Sequence, residues 1–170
     1  MRRLLILLLF AVAFVPDVQG QESLPETVLN SEIRTLDGQS FRLTDTSPSA
    51  KILFVCAAWA RVCDFAVKDM NRFQRTYAAR GVEIIGLTHE SPASDEPKVR
   101  KFVRRNKIKF KIGWLNDEME AALTDKQHPG LVPIVIILDS KQRIDSKFVG
   151  YSMWETPNRI VAAINRLKRT

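Results

Sequence analysis

The chain has 170 residues, 45% hydrophobic and 26% charged, with a formal net charge of +7. That is one domain's worth of chain, long enough to bury a real core. Two cysteines, Cys56 and Cys63, are too few for a disulfide-stapled scaffold. The basic surplus favours acidic partners or anionic surfaces and says nothing about fold.

The amino terminus reads as a cleaved export signal over residues 1–20, leaving a domain over 21–170. Arg2 and Arg3 precede an apolar run from Leu4 to Val15, Pro16 breaks it, and Gly20 supplies a small residue before the cut. The run is short against the roughly 20 residues a spanning helix needs. A retained membrane anchor is the competing reading. No cysteine near the cut offers a lipid attachment point. The expected location is therefore exported, periplasmic or otherwise extracytoplasmic.

Gln21 to Leu29 reads as an extended lead-in. Glu32 to Leu43 is a hairpin candidate turning at Asp37-Gly38. After a polar loop, Ile52 to Ala58 is a continuous apolar run, the pattern of a strand buried on both faces. The period then changes. Ala66, Met70, Phe73 and Tyr77 recur at helical spacing up to Gly81. Val82 to Leu87 is a second buried strand. Pro97 opens a basic helix whose buried face is Val99, Phe102 and Val103. Phe110 to Trp114 is a short strand, and Asp117 to Leu123 a short helix with acids at its start. Ile134 to Leu138 is a third buried strand, with Arg143 to Gly150 pairing back beside it. Thr156-Pro157 opens a last helix carrying Ile160, Ala163, Ile164 and Leu167 on one face. Buried runs alternating with helices predict parallel pairings covered on both faces, with an antiparallel edge.

The chemistry concentrates in the corner Trp59-Ala60-Arg61-Val62-Cys63, between the central strand and its helix. Cys63 falls at the helix amino end, where unpaired N–H groups and partial positive charge stabilise a thiolate. A redox dithiol would need a second cysteine at Ala60, and there is none. Cys56 and Cys63 could pair as a disulfide if their Cα atoms lay about 4.4–6.8 Å apart. The competing reading makes Cys56 a small buried hydrophobe.

These pieces together resemble the thioredoxin fold, in particular the TlpA/ResA-like branch of exported thioredoxins, and are similar to the neighbouring redoxin and AhpC/TSA families. The carriers are the apolar strand ending in Trp59, the corner with Cys63, the stretch VEIIGLTHESP before a basic helix, and Val132-Pro133 followed by IVIILDSKQRI. The likeness spans Ser31 to Leu167. It implies an α/β fold: a thioredoxin-like three-layer α/β/α sandwich with a central mixed sheet and an amino-terminal β-hairpin. It also implies a cis Val132–Pro133 bond packed against the corner. A groove of Trp59, Arg61, Val62, Val132 and Pro133 would receive a polypeptide thiol or disulfide partner in the cell envelope. The implied role is oxidoreductase or antioxidant work in cell redox homeostasis, with no bound cofactor.

The chain departs from that family at one position. The family corner reads Trp-Cys-X-X-Cys, and Ala60 replaces the attacking cysteine. Exchange needs one thiolate to form a mixed disulfide and a second to resolve it. The expectation is a degenerate, one-cysteine or non-catalytic member that binds partners. The alternative is a peroxiredoxin-like thiol peroxidase using Cys63 with an external resolving thiol. Against it, Ala60 stands where that family has Thr, and no Arg near Leu131 to Ile134 matches its activating one.

The two histidines, His89 and His128, sit in loops on the corner side. With the two cysteines they could make a copper site, but the spacing does not match copper-binding relatives, and no metal is expected. Lys98 to Lys111 is densely basic. It reads as the solvated face of a helix, with weak contact to an anionic surface as the sharper alternative. No aromatic ladder accompanies the charge, so nucleic acid is not an expected partner. Trp114, Met119 and Trp154 read as core or edge packing.

Overall fold

The computed structural model describes residues 23–124, 128 and 130–168. The predicted export signal lies outside them. In chain order the elements are α1 (Glu26–Asn30), β1 (Ile33–Arg34), β2 (Ser40–Phe41), β3 (Ala50–Cys56), α2 (Arg61–Tyr77), β4 (Val82–Thr88), α3 (Glu96–Arg105), β5 (Lys111–Trp114), α4 (Asp117–Leu123), β6 (Ile134–Asp139), β7 (Ile144–Val149) and α5 (Thr156–Leu167).

The unbroken apolar runs fall in the centre of the sheet because only there are both strand faces covered. The order is β5-β4-β3-β6-β7. All residues of β3 and β6 are buried. β3 pairs parallel with β4, which pairs parallel with β5, while β6 lies antiparallel to β3 and β7 antiparallel to β6. The result is a mixed sheet flanked by helices, with the β1–β2 hairpin as a separate antiparallel pair. Thr35 bridges to Gly113 and so fastens the hairpin to the β5 edge. Gly38 takes φ +83 in the hairpin turn, a conformation that favours glycine.

The helices bury the predicted faces. α2 turns Cys63, Ala66, Val67, Met70, Phe73 and Tyr77 inward. Gly81, at φ +76, ends the short 3-10 turn that follows it. α3 buries Val99 and Phe102, and α5 buries Ile160, Ala163 and Ile164. Asn116 caps α4, its side chain accepting the Met119 N–H at 2.9 Å.

Three local expectations are corrected. The lead-in is not extended throughout, because Glu26–Asn30 forms one helical turn that buries Val28. β6 runs antiparallel to its central neighbour. Burial on both faces carries no direction, so the apolar run could not reveal this. Trp154 is 85% exposed rather than packed in the core or edge. Trp114 and Met119 are buried as expected. Among the described residues, no helix is long and apolar enough to cross a membrane.

Candidate functional site

β3 delivers the chain to the corner. After Cys56, residues Ala57–Ala60 turn, with the Ala60 N–H donating to the Ala57 carbonyl at 3.1 Å. Ala60 is the N-cap of α2. Its backbone is extended, and its methyl group makes no capping hydrogen bond. Serine, threonine or aspartate would normally satisfy the first-turn N–H groups from that position. Instead, the Cys63 N–H turns back to the Ala60 carbonyl at 2.9 Å.

Cys63 is fully buried. Its Sγ lies under the turn and accepts the Ala57 N–H at 3.3 Å. Cys56 is buried beside it, and both are free thiols. Hydrogen bonding with Cys63, then burial, then the nearby Cys63 and Glu90 charges push the Cys56 thiol well above the usual range. That thiol is held protonated and unreactive at neutral pH.

The Val132–Pro133 bond is cis, as the resemblance implied. Val55 pairs with Ile134 in the β3–β6 register, so Pro133 stands one step further, beside the end of β3 that feeds the corner. Pro133 is buried, and its carbonyl accepts the Gly150 N–H at 2.9 Å, joining this bend to the end of β7. Trp59 stands out at 66% exposure. Arg61 is exposed, Val62 half-buried and Val132 buried. Leu131, Met153 and Trp154 add exposed apolar surface on the loops flanking Pro133 and β7. In the segment after β7, the Tyr151 hydroxyl donates to Asp69 Oδ2 on α2 at 2.7 Å. Burial and that carboxylate push the phenol far above its usual range.

Glu90 is a site residue that sequence reasoning passed over as part of a loop. It is 8% exposed. Its Oε1 accepts the Ala58 N–H at 2.5 Å, and its Oε2 accepts the Thr88 hydroxyl. A buried carboxylate thus latches the end of β4 to the first residues of the corner. The available signal was the spacing Thr88-X-Glu90, which continues the strand period past Leu87 and sets two polar groups on one side. Beside this latch is a cavity of about 410 Å³, lined by Trp59, His89, Glu90, Lys98, Lys101 and Arg105 among others.

His89 Nε2 lies 3.2 Å from Glu120 Oε1, close enough for an ion pair though not aligned as a hydrogen bond. His128 is exposed in the loop before Gly130. Among the described residues, no group of three or more His, Cys, Asp and Glu side chains converges to hold a metal. In the basic stretch, Lys98 pairs with Asp95, Arg100 with Glu96 and Arg105 with Asp64, so α3 spends much of its charge within the fold.

Residues 20–161 match the AhpC/TSA family. No curated protein matches the sequence. Among solved structures, a thiol:disulfide interchange protein of the thioredoxin family from Chlorobium tepidum superposes with TM-score 0.68 at 21% identity, covering 85% of this chain and 97% of that one. Peroxiredoxin Q of Xanthomonas campestris gives TM-score 0.71 at 14% identity, covering 86% of this chain and 97% of that one. A secreted Mycobacterium tuberculosis disulfide oxidoreductase gives 0.66 at 12% identity, covering 84% and 99%. At these identities the structural likenesses speak for the fold, and the family match over most of the chain speaks for kinship. This protein is a member of the AhpC/TSA family, a redoxin built on the thioredoxin fold.

Proposed function

We propose that this protein is an exported redoxin whose corner binds polypeptide partners without turning over their disulfides. The observation that carries the reading is the pairing of Ala60 at the N-cap with a fully buried Cys63. Disulfide exchange requires an accessible thiolate to attack and a second thiol to resolve the mixed disulfide. At this corner the N-cap position has a methyl group, itself 8% exposed, and the remaining sulfur accepts a backbone N–H beneath the turn.

In this reading the partner groove runs along Trp59, Arg61, Val62, Val132 and Pro133; Trp59 is exposed, and Pro133 stands beside the end of β3 that feeds the corner. An extended segment bearing a thiol or disulfide would lie across it. The leader-like amino terminus and the secreted relative among the structural neighbours support work in the cell envelope.

The family match also keeps a peroxidase reading alive, in which Cys63 at the first turn of α2 meets a peroxide and an external thiol resolves the product. Burial of Cys63 and the absence of a hydroxyl at position 60 count against it.

The deciding experiment is an insulin-type disulfide-reductase assay of the wild type beside Ala60→Cys, with peroxide consumption measured in parallel. The wild type is expected to show neither activity. Ala60→Cys is expected to gain reductase turnover, because a thiol at the helix N-cap ionises readily. Strong reductase turnover by the unaltered chain overturns the proposal, and thiol-dependent peroxide consumption by it selects the peroxidase reading.

A further inference from the structure

The larger of the two cavities described has no part in the chemistry above. It opens between the β1–β2 hairpin and the α3–β5 edge, with a volume of about 540 Å³. That falls within the roughly 300–1,000 Å³ of small-molecule sites. Its apolar lining includes Leu36, Phe41, Val103, Phe110 and Ile112. Phe110 packs edge-on against core Phe54, with ring centroids 6.3 Å apart, so that wall is rigid.

The charge around this cavity is one-sided. Arg100, Arg104 and Lys111 line it against the single acid Asp37, whose carboxylate accepts the Thr35 hydroxyl. Arg100 is committed to Glu96 and to the Leu36 carbonyl. Lys111 is held with Nζ 5.0 Å over the Phe41 ring, and its acidic neighbour Glu83 is 3.9 Å away. The Arg104 guanidinium has no ion-pair partner among the described residues. An apolar body beside the unpaired Arg104 and a Lys111 held only by a long ion pair to Glu83 and by the Phe41 ring calls for an amphipathic anion.

We propose that this cavity binds a free medium-chain monocarboxylate. The carboxylate is received by Arg104 and Lys111, and the acyl body lies against Phe41, Val103, Phe110 and Ile112. This gives the basic stretch a ligand that solvation of α3 alone would not require. It does not depend on the corner or on the reading of Cys63.

The test is titration of the ¹⁵N-labelled protein with decanoate, kept below its aggregation concentration and followed by amide shifts. Saturable shifts are expected around Phe41, Val103 and Phe110–Ile112, with the uncharged isostere 1-decanol binding about tenfold more weakly for want of the charge-assisted contacts. Arg104→Glu is expected to weaken decanoate by about tenfold or more through the reversed charge, with an unchanged melting curve. Lys111→Gln gives the same readout should Arg104→Glu fold poorly. The proposal is overturned by equal binding of decanoate and decanol, or by unaltered affinity in the variants. Shifts centred on Trp59, Leu131 and Trp154, or association only with phosphatidylglycerol vesicles, also overturn it.

Discussion

Replacing Glu90 tests whether a buried acid holds the corner in shape. Its two oxygens accept from the Ala58 N–H and the Thr88 hydroxyl. Hydrogen bonds to a charged group contribute about 1.5–3 kcal/mol each, and a buried donor left unpaired costs about 1–3 kcal/mol. Glu90→Ala removes both acceptors, but it also relieves the cost of keeping a carboxylate at 8% exposure. A net loss of about 3 kcal/mol is expected, which for a chain of this size lowers Tm by roughly 6–12 °C. Glu90→Gln retains one carbonyl acceptor and is expected to lose about half as much. Thermal melts of wild type, Glu90→Gln, Glu90→Ala and Thr88→Val, with the Glu90→Ala/Thr88→Val double variant, give both the cost and the coupling. Amide exchange reports the local effect: the Ala58 N–H is expected to lose protection before the amides of β3. If Glu90→Ala melts with the wild type and Ala58 stays protected, the latch does no mechanical work and the reasoning fails.

Three further outcomes are expected. Gly113→Ala places a Cβ against Ile33 Cγ2, a stiff β-branched side chain buried in the core; urea unfolding is expected to show a loss of roughly 1–3 kcal/mol, and an unchanged midpoint would deny the close packing of hairpin on edge strand. Burial pushes the Asp139 carboxyl up, but the Arg143 amide and guanidinium and the Lys141 amide outweigh it and hold the group below the usual carboxylate range. Its stabilisation is therefore present above the unfolded value of about 3.9 and is lost as pH falls through the lowered folded value. Asp139→Asn should thus cost about 1–2 kcal/mol at pH 7, screening by half-exposed Arg143 included, and the gap to wild type should close below about pH 4; a constant gap would refute the ionic origin. Native protein is expected to react slowly with iodoacetamide at both thiols and fully only after unfolding, since Cys56 and Cys63 are 1% and 0% exposed; rapid native labelling of Cys63 would place reactive chemistry back at the corner.

Much of this molecule was legible from residue order. Period and apolar content located β3, β4 and β6 as central strands, because a strand covered on both faces has no polar alternation. The Asp37-Gly38 turn, the helical spacing ending at Gly81 and the Pro-led starts of α3 and α5 rest on backbone chemistry confined to a few neighbours. The corner at residues 59–63 was likewise visible, since a strand run and a helix period meet there. The identity of residue 60 was settled in the same string of letters.

What the chain order could not supply depends on residues far apart in sequence meeting in space. The direction of β6 beside β3 follows from the packing of the whole sheet. The partnership of Glu90 with Ala58 spans 32 positions. Trp154, apolar by composition, remains in solvent because no element among the described residues covers it. The sequence places Cys63 in the first turn of α2, yet folding draws its sulfur beneath Ala57, out of solvent. Local sequence states which groups are available, but desolvation and long-range hydrogen bonding act only once the chain has closed around them.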